Sequence, residues 1–284
     1  MIEFTTPTAL RESVRAHRSA GRRIGLVPTM GALHEGHLAL VDEARRRADV
    51  VVVSIFVNPL QFGPNEDYHR YPRDLPQDRQ LAAGRGVNAL FLPDIETMYP
   101  SGSETRVVPG ATGEHWEGAA RPGHFAGVLT VVAKLFNVVE PDLACFGQKD
   151  IQQATLVRRM VRDLDWPIEL AIVPTVREPD GLALSSRNAY LRGAERQAAR
   201  SLSAGLRAAA AAWQGGERCA ERLEAIARAP MEVLSEVTVE YIGVVEPEGL
   251  TSVSTAGVGT IITVAARVGQ TRLIDNLILG QEPP

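Results

Sequence analysis

With 284 residues, 45% apolar and 23% charged, the chain can form one large domain or two ordinary ones and build a core that needs no disulfide staples. Its net charge of −4 disfavours nucleic acid as the main partner, while a local basic pocket for phosphate stays open. Cys145 and Cys219 lie far apart without metal-ligand spacing, which argues against a secreted disulfide framework.

The first residues, Met1-Ile2-Glu3-Phe4-Thr5-Thr6, lack the basic-then-apolar pattern of a signal peptide. No run reaches the roughly 18 apolar residues that span a bilayer. The expectation is a cytoplasmic protein with no membrane partner.

Arg23-Ile24-Gly25-Leu26-Val27 predicts a strand. It runs into Pro28-Thr29-Met30-Gly31-Ala32-Leu33-His34-Glu35-Gly36-His37, a glycine-bearing turn, and then into a helical segment over 38–44. Strand, turn and helix in that order bring two imidazoles and several backbone N–H groups to a helix N-terminus, where phosphate is favoured. The β-branched run 49–57 predicts a strand covered on both faces, stopped at Asn58-Pro59. A helix follows at 75–85, a strand at 87–92, a helix at 127–139 and a short buried strand at 141–147. Such alternation predicts a parallel sheet with flanking helices, whose ligands sit beyond the carboxyl ends of the strands. Asn58, Gln61, Gly147, Gln148 and Lys149 fall at such ends.

After about residue 176 the texture changes. An Ala/Arg-rich helix is expected over 194–213 and a second over 218–228. Segments 238–244, 260–266 and 272–276 read as an antiparallel sheet, with Gly269-Gln270-Thr271 as a turn. Pro174, Pro179 and Gly181 mark the boundary stretch as a hinge candidate. The fold class is thus α/β. A Rossmann-like parallel-sheet domain over 1–176 precedes a smaller α+β domain over 177–284 that carries the antiparallel sheet.

Three clusters bear chemistry. His34 and His37, three apart, are neighbours on a first helical turn. A zinc pair and two solvated cap residues are the plainer readings, but zinc lacks a third ligand with metalloprotease spacing. Imidazoles here can instead donate to phosphate oxygens in a phosphoryl-type transition state. Gly147-Gln148-Lys149-Asp150, with Gln153 one turn on, offers a lysine for phosphate charge; alone it would pass for a solvated loop. Leu184-Ser185-Ser186-Arg187-Asn188 can grip phosphates at a helix start, or simply cap it. His124, between Gly123 and Phe125, would be structural on its own terms, and Asp78 an ordinary helix carboxylate.

Together these segments closely resemble the pantothenate synthetase (pantoate–β-alanine ligase) family over essentially the whole chain. The matching motifs include 28–37, Phe56-Val57-Asn58-Pro59-Leu60-Gln61-Phe62, Tyr71-Pro72-Arg73, Pro122-Gly123-His124-Phe125, 147–150, Gln152-Gln153, 180–188 and 271–276. The family belongs to nucleotidyltransferases with a His-Ile-Gly-His-like signature, here His34-Glu35-Gly36-His37.

The resemblance implies ATP-dependent activation of pantoate as an acyl-adenylate, then attack by β-alanine to give pantothenate and AMP. It implies ATP contacts from the turn 28–37, from Gly147, Gln148, Lys149 and Asp150, and from Val176 and Leu184, Ser185, Ser186 and Arg187. Gln61 and Gln153 would hold pantoate, with Gln61 also near β-alanine. His37 would be the proton donor, and His34 would stabilise the phosphate transition state. Lys149, Ser185, Ser186 and Arg187 would neutralise the triphosphate. Mg²⁺ is implied with ATP, and Asp78 as its ligand, directly or through water. Asn58 and His124 would be substrate-pocket residues.

A homodimer is implied in the same way, and the C-terminal part as a lid. Gln148 departs from the glutamate the family commonly carries in this tetrapeptide. Two rival readings are a nucleotidyltransferase acting on a phosphorylated acceptor and a nucleotide-binding protein without catalysis. The uncharged Gln61 and Gln153 disfavour the first; His34, His37, Lys149 and Arg187 together disfavour the second.

Overall fold

The apolar runs form strands whose partners come from distant parts of the chain. The computed structural model describes residues 1–281 and divides into two units. The first comprises Met1–Gly147 and Leu156–Val173; the second comprises Gln148–Thr155 and the chain from Pro174 on. In chain order the elements are β1 (Ile2–Phe4), α1 (Pro7–Ser19), β2 (Ile24–Thr29), α2 (Glu35–Arg47), β3 (Val50–Ile55), α3 (Leu75–Gly84), β4 (Ala89–Phe91), α4 (Ile95–Met98), α5 (Glu117–Ala120), α6 (His124–Val139), β5 (Leu143–Gly147), α7 (Ile151–Asp163) and β6 (Glu169–Val173). There follow α8 (Gly193–Ala198), α9 (Arg200–Gln214), α10 (Ala220–Glu232), β7 (Val237–Val245), β8 (Ile261–Val268) and β9 (Thr271–Ile278).

In the first unit six parallel strands lie in the order β1-β4-β3-β2-β5-β6. The expected α/β class with a Rossmann-like parallel sheet is the observed one. The central strands are apolar except at Thr29 and Ser54 near their carboxyl ends, because helices cover both faces. Leu26 and Val52 share a core with Leu10, Val14 and Phe136, while Val51 and Val53 pack with Val41, Ala44 and Ala82 on the other side. The chain's direction across the sheet reverses between β2 and β5. Ligand crevices open at the carboxyl ends of strands flanking such a reversal. β2 ends at the His-bearing turn, and β5 ends at Gly147.

The helix expected at 127–139 starts earlier, at His124, after Gly123 adopts φ +82°. β1, α1, α7 and β6 escape the sequence reading. β1 and β6 are short edge strands, which carry too few residues to show a period. α1 nonetheless announces itself through the Thr6 cap and Pro7 at its first position.

In the second unit β7, β8 and β9 form the expected antiparallel sheet, with Gly269-Gln270 linking β8 to β9. The single helix expected over 194–213 is two helices, divided at Ala199. Gly205 of α9 lets α10 approach, since a Cβ there would run into the Ala227 carbonyl. The stretch expected as a hinge carries a small hairpin. Arg177 pairs with Ala183, the Leu184 N–H donates to Val176 O (3.0 Å), and Gly181 turns the tip at φ +92°. No helix among the described residues is long and apolar enough to cross a membrane.

Candidate active site

In the first unit the turn after β2 is held by a buried carboxylate. Asp78 of α3 is 2% exposed and accepts from the Ala32 N–H (3.0 Å, Oδ2) and the Leu33 N–H (2.7 Å, Oδ1). Burial pushes its pKa up, and the two backbone bonds offset only part of that rise. These bonds hold a backbone that is otherwise unfavourable, with Gly31 at φ +86° and Ala32 at φ +50°. At Gly31 a side chain would be strained by φ, and its Cβ would stand 2.9 Å from Asp78 Oδ2 and 2.9 Å from Ile55. The arrangement gives Asp78 a structural role in the turn. Among the described residues no group of three or more His, Cys, Asp or Glu could hold a metal ion.

The turn ends in α2, and the two histidines cap it reciprocally. His34 is the N-cap; its Nδ1 accepts from the Gly36 N–H (3.1 Å), and His37 Nδ1 accepts a long bond from the His34 N–H (3.4 Å). The ring centroids are 4.1 Å apart. A backbone N–H can only donate, so Nδ1 of each ring is unprotonated and the proton of each neutral imidazole sits on Nε2. The capping box thus sets the tautomer of both rings.

Beyond β3, Asn58 and Gln61 are buried, at 1% and 9% exposure. Asn58 Nδ2 donates to Gly127 O (3.1 Å) and Gln61 Oε1 (3.0 Å). Its Oδ1 accepts from the Leu60 N–H (3.3 Å) and the Tyr99 hydroxyl (2.9 Å). Both amide protons and both carbonyl lone pairs are therefore used within the protein, so Asn58 has nothing left for a ligand, contrary to the expectation of a substrate contact.

The same correction applies to His124. Its Nε2 lies 3.0 Å from Arg121 Nη1, which can only donate, so Nδ1 carries the proton and donates to Gln61 O (2.8 Å). Arg121 is itself paired with both oxygens of Glu66 (2.7 and 2.6 Å). Burial and the Arg121 charge push the His124 pKa down to about 4. His124 is a neutral brace on the Gln61 backbone. A cavity of about 610 Å³ adjoins Met30 and Gly31, walled by Phe56, Tyr68, Leu92 and Ile95, a size suited to a small ligand.

In the second unit Gln148, Lys149 and Asp150 form a 3₁₀ turn. Asn276 on β9, 1% exposed, donates through Nδ2 to Gln148 O and Lys149 O (both 2.9 Å). Those carbonyls orient the Asn276 amide, so its Oδ1 faces Gln148, whose Nε2 donates to it at 3.3 Å. This bond gives the departure at 148 a role in the loop's own fold. It also groups Gln148–Thr155 with a distant strand although the segment precedes β6. The neighbouring Asp275, 2% exposed, holds Arg177 through two contacts of 2.6 and 3.0 Å, which fastens the hairpin to β9.

The hairpin delivers Val176 and Leu184 side by side. Ser185 then caps a 3₁₀ turn over Ser186–Tyr190, its Oγ accepting from the Arg187 N–H (3.2 Å). Gln153 lies half-buried on the first turn of α7. Tyr99 in a loop, Asn276 inside β9 and the Arg177–Asp275 pair carry no local signal of their partners in the sequence.

Six parallel strands with two capping histidines at the turn between β2 and α2, beside the reversal of strand order, define an α/β protein of the class that binds its ligands at the carboxyl ends of the strands. The family profile described as pantoate-beta-alanine ligase matches residues 3–278. A pantothenate synthetase of Chloroflexus aurantiacus is 53% identical, covering 94% of this chain and 96% of its own. The pantothenate synthetase 1 of Bradyrhizobium diazoefficiens is 51% identical over the full length of both. Among solved structures, the pantothenate synthetase of Thermus thermophilus superposes with a TM-score of 0.93 at 49% identity, covering 98% of this chain and 99% of that one. The chain belongs to the pantoate–β-alanine ligase family. A Francisella tularensis member, complexed with beta-gamma ATP and β-alanine, gives a TM-score of 0.81 at 35% identity with full coverage of both chains.

Proposed function

We propose a division of labour for the reaction of this family, the ATP-dependent condensation of pantoate with β-alanine. In the first half-reaction a pantoate carboxylate oxygen attacks the α-phosphorus of ATP. The acyl–phosphate bond forms, the bond to the β-phosphate oxygen breaks, and pyrophosphate leaves. In the second, the neutral amine of β-alanine attacks the acyl carbon, AMP leaves, and the amine proton passes to solvent. No protein nucleophile is required, so positioning and charge stabilisation carry the work.

His37 and His34 serve as Nε2–H donors to phosphate oxygens as charge moves onto the leaving group. The backbone of the turn 28–37 and the start of α2 cradle the phosphates. Lys149, Ser185, Ser186 and Arg187 neutralise the triphosphate, with Gly147, Gln148, Asp150, Val176 and Leu184 as further ATP contacts. Gln61 and Gln153 hold pantoate. Mg²⁺ would accompany ATP and would offset the negative charge of the leaving pyrophosphate. The part over 177–284 is assigned the role of a lid that keeps water from the adenylate. A cytoplasmic homodimer completes the reading.

The observation that carries this reading is the reciprocal cap, which puts the protons of both histidines on Nε2 at the turn between β2 and α2. Exchange of labelled pyrophosphate into ATP tests it. Exchange should require pantoate and Mg²⁺ but not β-alanine, and pantothenate should form only once β-alanine is added. Exchange without pantoate, or none at all with it, would refute the adenylate route.

A further inference from the structure

The orientation of the Gln61 amide is dictated by a chain of hydrogen bonds with no freedom in it. The chain starts from two backbone groups of fixed polarity, Gly127 O as acceptor and the Leu60 N–H as donor. Gly127 O, 3.1 Å away, identifies the Asn58 nitrogen, and the Leu60 N–H, 3.3 Å away, identifies its oxygen. The Tyr99 hydroxyl faces that oxygen at 2.9 Å and must therefore donate. The remaining Asn58 N–H points at Gln61, and the atom receiving it at 3.0 Å must be Oε1. Gln61 Nε2 is left on the far side, beside Met30 Sδ at 3.2 Å. Thioether sulfur is a weak acceptor, easily replaced by an oxygen.

The elements are rigidly held. Gly127 sits against Leu60 and Gln61 so closely that a Cβ would run into the Leu60 carbonyl. The Tyr99 ring packs against Phe56 at 6.1 Å, with Arg106 and Lys134 each 5.9 Å from its centroid. Because Asn58 is saturated and 1% exposed, it cannot turn to suit a ligand.

We propose that Tyr99 and Asn58 are positioning residues that lock Gln61 as a hydrogen-bond donor, so that the acid-binding pocket accepts a substrate only where it presents an acceptor oxygen to Gln61. The inference rests on Gln61 meeting pantoate. In pantoate the matching atom is a carboxylate oxygen or a hydroxyl oxygen accepting through its lone pair. An analogue that places a donor-only ammonium there is rejected, because it meets Nε2 donor to donor. Reversing the Gln61 amide would break its bond from Asn58, which costs more than a surface amide flip because the group is buried.

The test is pantoate-dependent pyrophosphate exchange in wild type and Tyr99→Phe, which removes one oxygen and keeps the ring. The Michaelis constant for pantoate should rise about fivefold, equivalent to roughly 1 kcal/mol, while that for ATP and the thermal midpoint stay at wild-type values. Asn58→Asp puts an acceptor where Gly127 O and Gln61 Oε1 need donors, and should raise the pantoate constant further than Tyr99→Phe. With glutamine-selective ¹⁵N labelling, the Gln61 side-chain amide signal should shift on addition of pantoate in the wild type. The shift should be smaller at equal pantoate in Tyr99→Phe. An unmoved pantoate constant in Tyr99→Phe, or equal rises for pantoate and ATP, would overturn the relay while leaving the ligase reading intact. Wild-type exchange indifferent to pantoate would overturn both.

Discussion

Acidification should loosen the first unit through His124, and the size of the effect follows from its surroundings. Its Nε2 accepts from Arg121, its Nδ1–H donates to Gln61 O, and burial together with the Arg121 charge holds its pKa at about 4 against an ordinary 6.5. Glu66 and Glu117 lie near enough to favour the proton, but not enough to offset burial. The folded state therefore binds the proton less readily than the unfolded state. The stabilisation is full above pH 6.5 and is lost as pH falls from there towards 4. At pH 5 the unfolded chain is about 30-fold biased to the protonated form and the folded one hardly at all, a loss of about 2 kcal/mol. For a unit of this size that is a fall of roughly 4–8 °C in thermal midpoint.

His124→Gln keeps both a donor and an acceptor but cannot take up a proton. Thermal scans of both proteins at about pH 8 and pH 5 should show the wild type losing those degrees in excess of the variant. Parallel losses in the two proteins would refute the assignment of His124 as a neutral brace.

Asp78→Asn keeps one acceptor and turns an amide against the second N–H of the turn. Pyrophosphate exchange should fall by about 2 kcal/mol of transition-state stabilisation or more, and raising Mg²⁺ should not restore it; restoration would return Asp78 to the metal. Asn276→Ala leaves the carbonyls of Gln148 and Lys149 without their donor. It should cost about 1–3 kcal/mol and raise the Michaelis constant for ATP above that for pantoate, whereas a purely thermal effect would detach Lys149 from the ATP role. Lys149→Ala and His37→Ala should each remove roughly 2–4 kcal/mol from adenylate formation and leave the melting curve in place. Unfolding of either variant would favour a structural role.

Local patterns make much of the frame legible. The apolar run of β3, interrupted only at Ser54, signals a strand buried on both faces, and the strand–turn–helix order around His34 and His37 locates the carboxyl end of the sheet. Order of motifs along the chain points to the family. α7, which carries Gln153, escapes although Ala154, Val157 and Val161 stand at helical spacing and are buried. Asn58 and His124 show the opposite failure. Both stand beside Gln61, so a substrate role follows naturally from proximity, yet the structure fills every hydrogen-bonding position of Asn58 and both ring nitrogens of His124.

The elements, their class and the residue types able to handle phosphate are legible along the chain, since they depend on periodicity and on neighbours a few positions apart. Which polar groups remain to meet a ligand is set by contacts between distant parts of the folded chain. Asn58 is saturated by Tyr99 and Gly127, 41 and 69 positions away, and Asp78 is committed to N–H groups 46 and 45 positions away. A hydrogen-bonding group has few places to give, and contacts made by folding alone settle how many are already taken.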